Sequence, residues 1–387
     1  MDPSEIILEH PENGTSYRLG KLLGEGGFGK CYEMTECSTN KTYAMKLLSL
    51  VGDSRSLLWH NIMHEIDIMK NLCHKHVVKF SHDLEDEDFI CIFMELCSTE
   101  SLEHILRARG TLTYPEVRYY LRQLALALKY IHRKGILHRD IKLENLFINE
   151  EMELKVGDFG LAAWMEPVGQ RKKTFCGTLD YIALEVWNGE GHGPESDIWA
   201  LGCVVYALLV GKLPFWGQDM EETYWRVTEV QYSLPKSLSA AAQKLISGIF
   251  RKNPRDHLTL YQILQHEFLT EGFTPAKLPP SSCVTVPQLK PSYPVKGWFI
   301  RKAQQTDLGP VPSVPCPGAH PPEASMPRGS QSNTLASPTW EGAPRRTQAT
   351  PAWTRPPPQQ QATPHPRDPG HSARTSAPRP GPPTPTG

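Results

Sequence analysis

The chain has 387 residues and a formal net charge of −1 at pH 7, enough for two or three ordinary domains or one large two-lobed domain. A nearly neutral chain gives no electrostatic reason to expect binding to nucleic acid or to a membrane surface. Its nine cysteines include no Cys-x-x-Cys pair, which indicates reduced thiols and a cytoplasmic or nuclear protein rather than a disulfide framework.

The first fifty residues predict a small β-sheet with a glycine-rich turn. Residues 1–16 are polar, and we expect them to be disordered; strand-like residues begin at Tyr17. The spaced glycines of residues 24–29 suit a loop that lies close to phosphates, because glycine tolerates unusual backbone angles. Dinucleotide-binding folds use the same spacing, but they follow it with a helix. Here strand-like residues continue through residues 42–48, which favours a hairpin and a next strand that carries Lys46.

A helix is predicted over residues 57–72. Four apolar residues recur there at helical spacing: Leu58, Ile62, Ile66 and Met69. Glu65 falls on the same face, and burying an unpaired carboxylate is costly, so we expect Lys46 to be its partner. The alternative is a glutamate at the edge of the apolar stripe that faces water.

The middle of the chain predicts a linker and two core helices. Residues 89–94 form a continuous apolar strand that runs into Glu95-Leu96-Cys97. Thr113 and Glu116 form a capping box, and the helix that they start ends near Gly135. The apolar run of residues 200–210 is too short to cross a bilayer, which takes about 20 residues, so we expect a buried helix.

One short stretch, residues 136–147, carries the residues from which chemistry is predicted. It contains His138-Arg139-Asp140, then Lys142 and Asn145, and Asp158-Phe159-Gly160 begins eighteen residues after Asp140. Asp140 could orient and deprotonate a hydroxyl, while Asn145 and Asp158 offer the oxygen ligands that Mg²⁺ prefers. This arrangement is typical of phosphoryl transfer from ATP. A chance His-Arg-Asp tripeptide is the alternative, but the agreement of the separate parts argues against it.

The segment that follows predicts a regulatory site. Thr174 lies in a basic stretch between Asp158 and Ala183-Leu184-Glu185. A phosphate on Thr174 would add about −2 charge, and it could dock on Arg139 beside Asp140. An ordinary loop threonine is the alternative. Asp197, at the start of the apolar helix, could accept backbone hydrogen bonds from the stretch that carries Asp140.

At this point a resemblance is clear: residues 17–269 resemble a eukaryotic Ser/Thr protein kinase domain. Within that family the chain looks like the polo-like kinases, and it resembles their second and third members more than the first. The segments that carry this resemblance are residues 30–33, 115–123, 171–178, 271–275 and 281–287.

The resemblance implies an α+β fold of two lobes, a small β-rich lobe and a large helical one, with ATP and Mg²⁺ in the cleft between them. It implies that Asp140 is the catalytic base, that Lys142 neutralises charge on the γ-phosphate, and that Asn145 and Asp158 hold magnesium. The Thr178 hydroxyl would bridge Asp140 and Lys142. The residues implied at the nucleotide are Leu23, Gly24, Glu25, Gly26, Gly27, Phe28, Gly29, Cys31, Ala44, Lys46, Glu65, Glu95, Cys97 and Phe147. The implied activity is transfer of the ATP γ-phosphate to Ser and Thr of proteins, in cell-cycle or stress signalling.

The chain departs from the family pattern in three places. The chain has Leu184 where the family has proline, and His257-Leu258 where it has Arg-Pro. The family's arginine forms a buried ion pair with the glutamate at position 185, so we expect His257 to replace it only in part. A kinase-shaped scaffold that binds partners without turnover is therefore the rival interpretation.

The third departure is the end of the chain. Residues 270–289 resemble the extension that follows the kinase domain in the family, but residues 290–387 are proline-rich and show no pattern of the two phosphopeptide-binding polo boxes. We expect this tail to be disordered, with SH3-type or WW-type domains as candidate partners of its proline-rich stretches.

Overall fold

The structure of the protein is a computed structural model that describes residues 7–10, 13–26, 29–50, 55–97 and 100–289. All of these lie in one compact unit, Met1–Val314; the second unit, Pro315–Gly387, lies outside the described residues. The predictions made for the proline-rich tail therefore fall outside them as well.

The small lobe is built on a six-stranded antiparallel sheet with the strand order β1-β2-β3-β4-β6-β5. Its strands are β1 (Ile7–Glu9), β2 (Ser16–Gly26), β3 (Gly29–Glu36), β4 (Thr42–Ser49), β5 (Phe80–Glu85) and β6 (Phe89–Glu95). The expected disorder of residues 1–16 is wrong for β1, because Leu8 pairs with Tyr17 and extends the sheet by one strand. The strand is only three residues long, too short for a pattern in the sequence to predict it, and its pairing with β2 defines it.

The register of this sheet places Lys46 in the middle of β4. Lys46 lies opposite Cys31 on β3 and opposite Ile92 on β6. The glycine-rich hairpin that the sequence predicts joins β2 to β3, with Gly26 opposite Gly29. Gly29 has a φ of 145°, and a Cβ there would overlap the Leu47 carbonyl oxygen, so a side chain at this position would collide with β4.

Nine helices are present in the described part of the chain. They are α1 (Arg55–Lys70), α2 (Leu102–Arg109), α3 (Tyr114–Arg133), α4 (Leu184–Trp187), α5 (Pro194–Val210), α6 (Met220–Thr228), α7 (Ala240–Ile249), α8 (Leu260–Gln265) and α9 (Glu267–Thr270). The predicted helix over residues 57–72 corresponds to α1, shifted by two residues at each end. Helix α1 packs beside the sheet, and the other eight form the large lobe together with two small two-stranded sheets.

Helices α3 and α5 form the centre of the large lobe, and their sequences explain their positions. Helix α3 begins at the predicted capping box, in which Glu116 accepts hydrogen bonds from Thr113. Helix α5 is apolar on all sides, and residues 196–208 are buried along its length, as expected for a helix inside a core. Within the described residues, no helix is long and apolar enough to cross a membrane.

The C-terminal extension, residues 270–289, is packed onto the large lobe. Arg109 at the end of α2 donates to the Ser282 carbonyl oxygen at 2.6 Å and forms a two-pronged ion pair with Glu116, at 2.8 and 3.0 Å. Both charged side chains are buried, with exposures of 3% and 1%. Leu278 is buried as well. The extension therefore covers an ion pair that would otherwise meet solvent.

Candidate active site

The loop that carries Asp140 is held in place by one buried carboxylate. It follows β7 (Ile136–Leu137) and precedes β8 (Leu146–Ile148). Asp197, at the start of α5, accepts hydrogen bonds from the backbone N–H groups of His138 at 3.0 Å and Arg139 at 2.9 Å. It also accepts one from His132 Nε2 at 2.8 Å. The sequence predicted the backbone bonds but not His132, which lies near the end of α3 and carries no motif.

The Asp140 carboxylate receives four hydrogen-bond donors. Oδ1 accepts from the Thr178 backbone N–H at 3.0 Å and from the Thr178 hydroxyl at 2.8 Å. Oδ2 accepts from Asn145 Nδ2 at 3.1 Å and lies 2.9 Å from Lys142 Nζ. Lys142 Nζ also donates to the Thr178 hydroxyl at 2.9 Å, so this hydroxyl bridges Asp140 and Lys142 as the resemblance implied. Because a carboxylate offers about four acceptor sites, Asp140 is saturated in this arrangement.

Asn145 and Asp158 present oxygen atoms to the cleft. Asn145 uses its Nδ2 for the Asp140 carbonyl oxygen, at 2.9 Å, and for its carboxylate, which leaves Oδ1 available as a ligand. The Asp158 side chain is 38% exposed, and its backbone has a φ of 58°. Burial would raise the pKa of Asp158, but the Lys46 ammonium brings it below the usual value, so the carboxylate is ionised.

These two oxygen donors fit magnesium, which takes hard ligands and keeps several positions for water or phosphate. Within the described residues, no group of three or more His, Cys, Asp and Glu side chains could hold a metal ion.

The predicted contact between Lys46 and Glu65 is present. Lys46 Nζ lies 2.8 Å from Glu65 Oε1 and 3.2 Å from Asp158 Oδ1, and the side chains of Lys46 and Glu65 are 15% and 6% exposed. Burial would lower the pKa of Lys46, but the two carboxylates raise it above its usual value, so the lysine keeps its proton. The β4 strand and helix α1 thus place a fixed positive charge at the edge of the cleft.

The other residues predicted at the nucleotide lie on the strands around this cleft. Leu23, Gly24, Glu25 and Gly26 occupy the end of β2, Gly29 and Cys31 lie on β3, Ala44 on β4, and Phe147 on β8. Gly27 and Phe28 lie outside the described residues. Across the sheet, Ala44 pairs with Met94 at the end of β6, directly before the predicted linker.

The linker residue Glu95 is held from both lobes. Glu95 Oε1 forms an ion pair with Lys155 at 2.6 Å, and Oε2 accepts from the Lys79 backbone N–H at 3.1 Å. Burial raises the pKa of the Cys97 thiol to about 12 and that of Cys31 to about 11, so both are thiols rather than thiolates. Their contribution to a nucleotide site would be shape and apolar contact.

The predicted regulatory pair consists of Thr174, in the segment from Asp158 to Glu185, and Arg139 of the catalytic loop. Thr174 is exposed, whereas Arg139 is half-buried and donates from Nε to the Leu161 carbonyl oxygen at 2.7 Å. Arg139 Nη1 is buried and has no hydrogen-bond partner among the described residues. Gly177 has a φ of 110°, and a Cβ there would lie 2.8 Å from the Arg139 carbonyl oxygen, so the segment passes close to the catalytic loop. The regulatory role of Thr174 stays a prediction.

The expected partial pairing of Glu185 with His257 is present only as a charge interaction: His257 lowers the pKa of Glu185, while burial, the larger effect, raises it. Neither a hydrogen bond nor an ion pair joins them: Glu185 Oε1 accepts from the Ser196 hydroxyl at 2.8 Å, and His257 Nε2 donates to the Arg251 carbonyl oxygen at 3.0 Å. Glu185 Oε2 and His257 Nδ1 are both buried and have no hydrogen-bond partner among the described residues. The ring of His257 thus bonds a backbone carbonyl oxygen, and the second carboxylate oxygen of Glu185 has no hydrogen-bond partner among the described residues.

Comparisons with known proteins agree with this geometry. Residues 17–269 match the protein kinase domain family. The chain is 50% identical over 300 residues to serine/threonine-protein kinase PLK2 of Mus musculus, covering 78% of this chain and 44% of that protein. It is 43% identical over 281 residues to serine/threonine-protein kinase PLK1 of Xenopus tropicalis, covering 73% and 47%.

A third relative is called inactive serine/threonine-protein kinase PLK5, of Mus musculus. It is 40% identical over 311 residues, covering 80% of this chain and 52% of that protein. The chain thus spans about half the length of the curated relatives that it matches. Relatives described as kinases and one described as inactive both align with the catalytic region.

Proposed function

The chain belongs to the protein kinase family, in which its relatives are polo-like kinases, and on this basis we propose that it transfers the γ-phosphate of ATP to Ser and Thr hydroxyls of proteins. The observation that carries this proposal is the hydrogen-bonded set around Asp140, in which Thr178, Lys142 and Asn145 all contact one carboxylate. A role in cell-cycle or stress signalling, and a location in the cytoplasm or nucleus, are part of the same proposal.

The ATP–Mg²⁺ complex would supply the phosphoryl group and the charge that screens it; Asn145 and Asp158 would hold the ion. Lys46, fixed by Glu65, would orient the phosphates. Asp140 would accept a hydrogen bond from the substrate hydroxyl and take its proton as the new O–P bond forms, while the bond from the γ-phosphorus to the bridging oxygen breaks and ADP leaves. Lys142 would leave Asp140 for the transferring phosphate, which opens the acceptor site that the hydroxyl needs. Thr178 would hold the other carboxylate oxygen throughout.

The test is incorporation of labelled phosphate into casein by the full chain, compared with Asp140→Asn. The variant should lose turnover by about 10²–10⁴-fold, because it cannot accept the hydroxyl proton. It should still bind a fluorescent ATP analogue, because Asp140 acts on the hydroxyl rather than on the nucleotide. Wild-type turnover in Asp140→Asn would show that the base is assigned to the wrong residue.

The second candidate is a kinase-shaped scaffold that binds partners without turnover. It is supported by the relative named as inactive and by the unpartnered oxygen of Glu185. The two candidates separate in the same assay: a scaffold would bind the ATP analogue or a partner but label casein no faster than Asp140→Asn does. SH3-type or WW-type partners of the proline-rich tail belong to either candidate and are best tested by peptide arrays of residues 290–387.

A further inference from the structure

A buried lysine joins the two lobes. Lys155 is the central residue of β9 (Leu154–Val156) in the large lobe, and it is only 8% exposed. A lysine is rarely buried unless its charge is paired, because an isolated ammonium is costly to remove from water. Its Nζ lies 2.6 Å from Oε1 of Glu95, the last residue of β6. The ion pair therefore connects a strand of the large lobe to the end of the small-lobe sheet.

The large-lobe end of this pair is fixed by backbone hydrogen bonds. Val156, the residue after the lysine, exchanges two such bonds with residues 76–78, at 3.0 and 2.9 Å. Gly157 donates its N–H to the Asn145 carbonyl oxygen at 3.0 Å, directly before Asp158. None of these bonds uses the lysine side chain. The strand, and the Asp158 that follows it, should therefore keep their positions when the lysine is replaced.

The other end of the pair, the linker residue Glu95, depends more strongly on the lysine. The Glu95 backbone N–H donates to the Lys79 carbonyl oxygen at 2.8 Å, and its Oε2 accepts from the Lys79 N–H at 3.1 Å. Both of these bonds tie Glu95 to the small lobe. Within the described part of the chain, Lys155 makes the one ion pair or hydrogen bond from the large lobe to the Glu95 side chain. Removing the lysine therefore releases the linker from the large lobe at this point.

The register of the small-lobe sheet shows which end of a nucleotide would lie at the linker. Ala44 pairs with Met94, the residue before Glu95, whereas Lys46 lies two residues further along β4 and pairs with Ile92. Strands rise by about 3.3 Å per residue, so Lys46 is roughly 7 Å further from the linker than Ala44. If Lys46 orients the phosphates, the base lies towards the linker. A change at Glu95 should therefore act on the base rather than on the phosphates.

On the basis of the proposed function, we infer that Lys155 is a positioning residue for ATP: through Glu95 it fixes the linker against which the base lies. The ion pair orders the linker before the nucleotide arrives, so less free energy is lost in ordering it on binding. Lys155 acts through Glu95 and touches neither the phosphates nor the substrate hydroxyl. Because Asp158 is held by other bonds, loss of the lysine weakens ATP binding and leaves the phosphoryl-transfer step nearly unchanged.

The first measurement is labelling of casein by the full chain over a range of ATP concentrations at saturating Mg²⁺. Lys155→Met keeps most of the length of the side chain but removes its charge. It should raise KM for ATP roughly tenfold, because the linker is no longer ordered in advance. It should change kcat by less than about threefold, since the groups that act in the transition state are in place. Lys155→Arg keeps a charged donor for Glu95 and should restore a KM near that of the wild type.

Lys75→Met is the matched control. Lys75 lies between α1 and β5, and its Nζ is 2.7 Å from Oε1 of Glu153, the residue before β9. This pair also connects to the large lobe, but the Lys75 side chain is 64% exposed and the pair does not include the linker. Exposed ion pairs contribute little, so Lys75→Met should keep the wild-type KM for ATP.

The second measurement is displacement of a fluorescent ATP analogue, which needs no turnover and separates the two ends of the nucleotide. In Lys155→Met, the affinity for adenosine should fall by the same factor as the affinity for ATP, roughly tenfold. The affinity for inorganic triphosphate with Mg²⁺ should not change. Lys46→Met should give the reverse pattern, because Lys46 acts on the phosphates. A general loosening of the fold would instead weaken the binding of both ligands.

Glu95→Gln removes the other charge of the pair and should give the same pattern, so it decides the question if circular dichroism shows that Lys155→Met does not fold. The double variant should bind adenosine no more weakly than either single variant, because the two residues act as one pair. Unchanged adenosine affinity in the folded single variants, or equal losses for adenosine and triphosphate, would overturn the inference. A chain that binds the analogue but labels no casein would overturn the proposed function, and displacement would still decide the role of Lys155.

Discussion

The substitution His257→Arg should stabilise the large lobe. Glu185 is 1% exposed, and one of its carboxylate oxygens has no hydrogen-bond partner among the described residues. A buried polar group without a partner costs about 1–3 kcal/mol, and an arginine in place of His257 would supply that partner. We expect His257→Arg to recover most of this free energy. At about 2–4 °C per kcal/mol for a domain of this size, Tm should rise by roughly 3–8 °C.

The gain should depend on pH, because burial raises the pKa of Glu185 above its usual 4.5. When the pKa of a carboxyl group is higher in the folded than in the unfolded state, its contribution to stability is fully present at pH values below the unfolded-state pKa. This contribution is lost as the pH rises through the folded-state pKa. The cost of ionising Glu185 in the wild type therefore rises with pH and is larger at pH 8 than at pH 6. Arginine removes that cost, so the rise in Tm should be larger at pH 8.

The assay is thermal unfolding of the full chain, followed by circular dichroism at pH 6 and pH 8. His64→Arg is the control, because it adds the same charge at an exposed position of α1 and should change stability by less than about 0.5 kcal/mol. Leu184→Pro restores the other family residue at the start of α4. It should raise Tm less than His257→Arg does, since it alters the stiffness of the backbone rather than the charge. An unchanged Tm in His257→Arg at both pH values would show that Glu185 is already satisfied.

Three further predictions concern other parts of the chain. Phosphorylated Thr174 should raise kinase activity by binding a donor of Arg139, and equal activity of Thr174→Ala and the phosphorylated wild type would refute this. Arg109→Leu should lower the free energy of unfolding by about 3–5 kcal/mol, because it leaves Glu116 buried and unpaired. Arg107→Leu removes an exposed ion pair on the same helix and should lower it by less than about 1 kcal/mol. Urea denaturation measures both losses, and equal losses in the two variants would contradict the prediction. A pull-down with residues 290–387 should not prefer a phosphothreonine peptide over its unphosphorylated form, and specific capture would reveal a binding domain there.

Local patterns in the sequence were sufficient for much of the site. Glu65 falls on an apolar face of α1, so its need for a charged partner follows from helical spacing alone, and Lys46 fills that need. The capping box that starts α3 is likewise contained in four residues. In such cases both partners lie in one helix or strand, or one helix contains a buried charged group that needs a partner of opposite charge.

Pairings between distant segments were not predictable in this way. The bond from Arg109 to Ser282 spans 173 residues, and no local pattern marks either end. His257 was expected to face Glu185, but its ring bonds the Arg251 carbonyl oxygen six residues earlier. The sequence indicates which charged and polar groups need partners, whereas tertiary packing determines which nearby group becomes the partner.

The saturated carboxylate of Asp140 has a consequence for the fate of ATP when no substrate protein is bound. With four donors around it, the carboxylate offers a stray water molecule no free acceptor site, and the water cannot displace Lys142 because nothing anchors it. A peptide hydroxyl differs, since contacts along the rest of the segment hold it in position while the lysine moves. If the chain transfers phosphate as proposed, the bonds that hold Asp140 would also suppress hydrolysis of ATP by water and make nucleotide turnover conditional on the arrival of a protein.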